Sequence, residues 1–277
     1  MKHETGELHL VEDPEFDEEY PLSDEHVKQL SDKGWVRLPS LLSPAMAKKI
    51  LESSRDFAYR AKPSPSDVNY RAKEEVHSNE NQDALAWKDS FFYSLATSRR
   101  FGSVATRLMG LDEAVLFQDM TLLKPPGGSA THLHQDMAFA PLDRKGGITI
   151  WIALADVEEN MGLMHYVEGS HHEGPLGRMF GEDARRLYPD LVARGFGKGG
   201  PMRPGDAQVH WDLTLHGADS NESDRDRQSY ALRYIRPDTI YTGTPLKSLD
   251  GFNLTAGKRF FELSDFPRVT AAGLVQD

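Results

Sequence analysis

Residues 132–136, His-Leu-His-Gln-Asp, place two imidazoles and a carboxylate in one short run. In an extended strand, side chains at i and i+2 point to the same side, so His134 and Asp136 converge on one point. Two histidines and one carboxylate form a mixed nitrogen and oxygen set. That set suits mononuclear iron(II) and leaves one face of an octahedron open for oxidative chemistry. The third ligand has to come from a facing strand. Residues 209–216, VHWDLTLH, read as strand, and Gly217 follows them as at a barrel mouth. His216 is the preferred third ligand. His210 has the same parity and competes with it, as His132 competes with His134. By itself His-x-Asp among 11 histidines also fits a surface turn or a packed pair. His171 and His172 look like a loop pair, and His3, His9, His26 and His77 lie in polar segments.

The elements that must position these residues follow from pattern. Residues 1–22 read as an acidic, flexible leader. Ser23 or Asp24 caps a helix to about Lys33, with an incomplete capping box because His26 stands where an acid or amide is usual. Residues 34–39 read as a strand. Pro44 opens a second helix that runs to about residue 61. Residues 62–84 form a long polar loop, and 85–109 carry one or two helices. From 114 the pattern turns to strands: 114–124, 131–139, 148–157, 162–170, 206–218 and 229–237. Between them, 171–204 is a glycine-rich excursion with a helical stretch near 181–193. Residues 238–277 show no period. There is no βαβ repeat and no glycine-rich dinucleotide motif. Helices first and many short strands later predict a mainly β fold with peripheral helices. The expected architecture is a double-stranded β-helix (jelly roll, cupin-like) in a single domain over 1–277.

Composition narrows the chemistry. The 277 residues contain no cysteine, which removes disulfides, thiolate metal sites and cysteine nucleophiles. The net charge is −11, with ten acids and one lysine in the first 25 residues and near balance beyond. Basic residues are scattered, so no nucleic-acid partner is expected. No apolar run is long enough to span a bilayer, and the N-terminus lacks a basic-then-apolar layout. A cytoplasmic protein without membrane association is expected, as monomer or small homo-oligomer.

Residues 120–227 carry a layered likeness to a known family. MTLLKPPGG followed by LHQD, then ITIWIALADVEENMGLMHYVEGSH, then PGDAQVHWDLTLHGADSNESDRDRQSYALRY, together resemble the phytanoyl-CoA dioxygenase-like family of iron(II)/2-oxoglutarate oxygenases. The resemblance assigns the metal to His134, Asp136 and His216. It gives Arg227 as anchor of the distal carboxylate of 2-oxoglutarate, with Arg225 as close rival. A guanidinium holds a carboxylate by a bidentate pair that lysine cannot copy. Read without the resemblance, both arginines are surface charge. Met120, Gln135 and Trp151 fall at family positions that line the cosubstrate pocket. Their bland readings are core for Met120 and Trp151 and an outward strand position for Gln135. Two departures are visible: Ala218 where many relatives have serine, and Glu168 where proline is common. Asp136 speaks against halogenation, because related halogenases carry a small residue there.

The resemblance implies iron(II) and 2-oxoglutarate as cofactors, O2 as cosubstrate, and hydroxylation of a small-molecule or secondary-metabolite C–H bond with release of succinate and carbon dioxide. Epimerisation, desaturation or cyclisation at the same site are the alternatives, and a non-catalytic jelly-roll binding protein is a further one. Phe139, His165 and Trp211, on or beside the inferred strands, are candidate substrate contacts. Packing explains them equally well. No basic cluster demands a coenzyme A phosphate.

Overall fold

The computed structural model describes residues 8–60, 80–177, 184–263 and 265–275. Its helices are α1 (Pro14–Asp17), α2 (Asp24–Lys33), α3 (Pro44–Arg60), α4 (Ser90–Ala96), α5 (Arg99–Met109), α6 (Ala184–Leu187) and α7 (Pro189–Val192). The strands are β1 (Trp35–Leu38), β2 (Glu80–Asp83), β3 (Glu113–Lys124), β4 (Thr131–His134), β5 (Ile148–Ala153), β6 (Met164–Val167), β7 (Phe196–Lys198), β8 (Ala207–Trp211), β9 (His216–Ala218), β10 (Arg227–Ile235), β11 (Arg268–Thr270) and β12 (Gly273–Leu274). They form two antiparallel sheets. The larger runs β1-β8-β5-β10-β3-β11-β12, with β2 also beside β3, and the smaller runs β4-β9-β6-β7. This is the curled, double-sheet jelly roll expected, with helices outside. Among the described residues no helix is long and apolar enough to cross a membrane.

Strand alternation explains how one sheet serves two purposes. On β5, Ile148, Ile150 and Ile152 join the main core under the helices, while Trp151 and Ala153 join a second cluster between the sheets. On β10, Tyr230, Leu232 and Tyr234 take the helix side, and Ala231 takes the inner side. Each fully buried aliphatic or aromatic side chain stabilises the fold by about 1.5–3 kcal/mol. A one-residue slip would exchange the isoleucine face with the face that carries Thr149 and Trp151, so the difference between the two faces specifies the register. The sheets are tied across the middle by Trp35 of β1, which stacks on Tyr166 of β6 with ring centroids 4.9 Å apart.

Several sequence expectations need correction. Residues 8–22 are docked, not a loose leader: Val11 N donates to Ser94 Oγ at 2.8 Å, Glu15 accepts from Ser43 N and Oγ, and Phe16 is buried. The α2 capping box is complete, because an imidazole nitrogen can accept: Ser23 N donates to His26 Nδ1 at 3.0 Å. Residues 80–83, expected as loop, form β2 and pair with β3. Most of the remaining 62–84 stretch, like 1–7 and 178–183, lies outside the described residues. The 206–218 strand is two strands in different sheets, β8 and β9. The C-terminal stretch, without period in sequence, supplies the β11–β12 hairpin that lengthens the large sheet beside β3.

One buried acid gives the fold a pH signature. Asp119 of β3 faces the helices, accepting from Tyr230 Oη at 2.6 Å and Ala86 N at 3.0 Å. Burial pushes its carboxyl up to about 7, against the lowering effect of those two bonds. The folded state therefore keeps a proton that the unfolded chain releases at its ordinary carboxylate pKa. This contribution to stability is full below that ordinary value and lost as pH rises to about 7. Thermal denaturation should show stability falling over this window by at most about 1.4 kcal/mol per pH unit from this group. Asp119→Asn should flatten the slope; an unchanged slope would assign it to other groups.

Candidate metal centre

His134 ends β4 and His216 begins β9, and the two are directly opposed in the small sheet. Their ring centroids lie 4.3 Å apart. Each ring is held by its own backbone two residues earlier: His134 Nδ1 sits 2.8 Å from His132 O, and His216 Nδ1 sits 2.9 Å from Thr214 O. A carbonyl can only accept, so both Nδ1 atoms carry a proton, and Nε2 is in each ring the nitrogen left to offer a lone pair to a metal. His132, the rival ligand, thus contributes its carbonyl to this arrangement.

Asp136 lies beyond the end of β4, in the first turn of a 3-10 helix over Asp136–Phe139. The strand rule that placed it beside His134 therefore does not apply, and tertiary bonds aim it instead. Met137 N donates to Asp212 O at 3.0 Å. Gln135 uses its whole amide on backbone: Nε2 donates to Leu213 O at 2.7 Å and Gly174 O at 3.0 Å, and Oε1 accepts from Leu176 N at 2.7 Å. Gln135 is a buried clamp on the surrounding loops, not an outward strand residue. As a result Asp136 Oδ1 faces His134 Nε2 at 3.5 Å and His216 Nε2 at 3.7 Å. The three donor atoms lie within 4.8 Å of one another.

The other carboxylate oxygen belongs to the large sheet. Thr149 Oγ1 donates to Asp136 Oδ2 at 2.7 Å, with His210 Nε2 at 3.4 Å and Arg233 Nε at 3.9 Å. Cross-strand register explains this grouping. Trp35, His210, Thr149, Arg233 and Gln118 are successive partners across β1, β8, β5, β10 and β3. Arg233 is steadied by Gln118 Oε1 at 3.0 Å. His210 is thus brought to the far oxygen of Asp136, while His216 faces the near one. Thr149 and Arg233 were missed in the sequence. They are two residues before Trp151 and six beyond Arg227, which puts them on the same inner face, and that parity was the available signal.

The charge states fit a metal. Burial opposes ionisation of Asp136, but Arg233 and the surrounding imidazoles outweigh it and hold the carboxyl well below its usual range. Burial, then the His210 and His134 rings, keep His216 well below the ordinary histidine value, so it is neutral. Burial also works against a charged His134, but Asp136 outweighs it and leaves that pKa raised. An ionised carboxylate and a neutral imidazole are the forms that ligate, and His134 releases its proton when it does so.

A second polar site lies along the same strands. Arg227 opens β10 and is buried; its Nη1 donates to Gly162 O at 2.6 Å, and its guanidinium lies 5.5 Å from the Trp151 ring. Its Nε is buried without a hydrogen-bond partner, and no acidic side chain pairs with it among the described residues. Burial brings its pKa down to about 10. Arg225, its rival in the sequence, is half exposed and bound to Glu158 at 2.7 Å. A buried guanidinium without an acidic partner is a fitting seat for a carboxylate. Trp151 and Met120 share the cluster between the sheets with Ala231, their register partner on β10.

The three candidate substrate contacts separate. Phe139 lies nearly perpendicular to the His134 ring, with centroids 5.7 Å apart. Trp211 turns away: its indole nitrogen donates to Leu30 O of α2, and its ring packs on the main core. His165 alternates with Tyr166 on β6, and only Tyr166 is stacked toward His216. The His165 ring meets Asp219, Phe196 and Arg185 instead.

Residues 30–229 match the family model for phytanoyl-CoA dioxygenase (PhyH). A phytanoyl-CoA dioxygenase of Arabidopsis thaliana is 27% identical over 188 residues, covering 66% of this chain and 65% of the relative's own length. Among solved structures, the non-heme alpha-ketoglutarate-dependent carbocyclase SnoK of nogalamycin biosynthesis superposes with a TM-score of 0.78. It is 26% identical and covers 90% of this chain and 97% of its own. The epimerase SnoN, solved with Fe3+, alpha-ketoglutarate and nogalamycin RO, superposes with a TM-score of 0.70 at 21% identity, covering 92% of this chain and 96% of its own.

The role of Thr149 is open to a direct check. Thr149→Val keeps the volume and removes the donor to Asp136. Iron(II) affinity, measured by anaerobic equilibrium dialysis, should fall by about 10–100-fold, and Thr149→Ser should restore it. An unchanged affinity in the valine variant would show that the hydroxyl does not orient the carboxylate.

Proposed function

The chain belongs to the phytanoyl-CoA dioxygenase family, and on that premise we propose that it is an iron(II)/2-oxoglutarate-dependent enzyme that oxidises one C–H bond of a small molecule. One observation carries this reading above the others. The same barrel holds a His134–Asp136–His216 donor set and, on the inner face of β10, a buried arginine without an acidic partner. A binding protein of this fold has no need of both.

His134 Nε2, Asp136 Oδ1 and His216 Nε2 would hold the metal, and Arg227 would hold the distal carboxylate of 2-oxoglutarate. When bound, iron(II), 2-oxoglutarate and O2 together supply the oxidant that removes a hydrogen atom from a substrate carbon, with succinate and carbon dioxide as co-products. The chain's own residues do the rest. The backbone carbonyls of His132 and Thr214 keep both imidazoles turned with Nε2 inward. Thr149 occupies Asp136 Oδ2 and so presents Oδ1 alone. Trp151 and the cluster around it keep water from the Arg227 guanidinium, which strengthens its hold on an anion. Phe139 walls the site beside His134 and marks the side on which substrate is positioned.

Hydroxylation is the outcome expected from the sequence. Ring closure is the outcome we favour here, because the likeness to the carbocyclase SnoK spans nearly the whole of both chains. The two differ in what the activated carbon meets next: an oxygen atom, or another atom of the same molecule. The substrate we propose is a secondary-metabolite intermediate large enough to fold back on itself.

Two measurements test the reading. Incubated with iron(II), 2-oxoglutarate, O2 and candidate polycyclic substrates, the enzyme should form succinate in step with a product lacking two hydrogens. A product gaining one oxygen would restore hydroxylation; absence of succinate with every substrate and of iron binding would remove the enzymatic reading. Arg227→Ala should raise the 2-oxoglutarate requirement by about 100-fold or more, the loss of a bidentate charged pair, while Arg225→Ala leaves it near wild type.

A further inference from the structure

Lys124 ends β3 directly opposite Arg227 of β10, so both side chains leave the same face of the sheet. It is fully buried. The two cations meet at one corner. Arg227 Nη1 donates to Gly162 O, and a Cβ built on Gly162 would lie 3.2 Å from Lys124 Cδ. Lys124 Nζ donates to Asp219 O at 2.8 Å, which among the described residues leaves two of its three donors for a ligand. No carboxylate bonds to either cation among the described residues. Asp219 offers its backbone oxygen only; its half-exposed carboxylate lies 3.7 Å from His165 Nδ1 on β6 and 3.9 Å from Lys198 Nζ on β7.

We propose that Lys124 is a second anchor for the distal carboxylate of 2-oxoglutarate and takes up a proton from solvent when that dianion binds. The inference rests on the reading of the Arg227 end of the barrel as the cosubstrate site. Two cations buried side by side repel each other and lose their hydration, and an anion between them relieves both penalties. Burial, then the Arg227 charge, bring the Lys124 amine down to about 7, with Asp219 pulling the other way. The groups facing it are Arg227 from β10, Asp219 beyond β9 and, through Asp219, His165 from β6 and Lys198 from β7. Before the cosubstrate enters, the amine is largely neutral above pH 7. A bound dianion raises its affinity for a proton, and an ammonium forms with no other covalent change. Tighter binding then depends on that proton and fades as pH rises.

The test uses the intact protein loaded with iron(II) without oxygen, with 2-oxoglutarate binding followed by the visible charge-transfer band. For wild type the apparent Kd should rise by up to about tenfold per pH unit above pH 7. Calorimetry in two buffers of different ionisation heat should read proton uptake approaching one per site near about pH 8 and little near about pH 6. Lys124→Met should weaken 2-oxoglutarate by about 10–100-fold at neutral pH, lose the pH slope, and retain iron(II) affinity. Lys124→Arg should recover affinity without the slope. If wild type shows the band but no proton uptake, or Lys124→Met keeps both affinity and slope, the role of Lys124 is overturned while the cosubstrate site stands. If wild type shows no band at all, the cosubstrate reading fails and takes this proposal with it. The calorimetric measurement needs no variant and decides the matter even if a substitution at this buried position prevents folding.

Discussion

The two sheets share one carboxylate. Asp136 turns one oxygen to the imidazoles of the small sheet and the other to Thr149 of the large one. A carboxylate so placed cannot swing to chelate through both oxygens without giving up its bond to the threonine. The relative placement of the sheets therefore sets the geometry of the donor set, and the Trp35–Tyr166 stack that joins β1 to β6 is part of the same arrangement. The loops contribute through Gln135, whose amide is fully committed to three backbone groups around the site.

Much of this was legible in the sequence, because the physics there is local. The alternation in residues 148–153 separates an isoleucine face from an inner face, and the strand-rich second half with helices before it has few architectures open to it. What stayed hidden depended on distant contacts. The run VHWDLTLH has unbroken strand character, yet it breaks at Asp212, whose carboxylate accepts from Gly146 N and Gly147 N and whose carbonyl accepts from Met137 N. Parity made His210 and His216 equivalent; the break sends them to opposite oxygens of Asp136. Arg225 and Arg227 likewise share parity and charge, and only burial separates a surface ion pair from a cation with no acidic partner among the described residues. Thr149 was masked by the apolar run around it, and the docking of residues 8–22 by their acidity.

The inner face of the large sheet is graded along the strands. A polar row that includes His210, Thr149, Arg233 and Gln118 lies under the donor set. One step on come Trp151, Ala231 and Met120, and at the far end the Arg227–Lys124 pair. Each row is a register-matched set, so its chemistry is fixed by hydrogen bonding between strands and not by loop conformation. A buried arginine beside a buried lysine at one end and an ionised carboxylate at the other give the inner face an internal polarity, which burial preserves by weakening solvent screening.

Gly162 gives that polarity a consequence for how such a protein can diversify. Its backbone is left-handed, with φ of +74°, and a Cβ there would sit 2.4 Å from Asp219 O. The corner that seats both cations is therefore closed to side-chain variation, and most changes there would disturb the chamber before they altered its selectivity. The wall near Phe139 is under no such restriction, being built of partly exposed side chains on a short 3-10 turn. Substitutions can therefore accumulate at that rim while the Arg227–Lys124 corner stays the same, so variation in this barrel is channelled to one end of it.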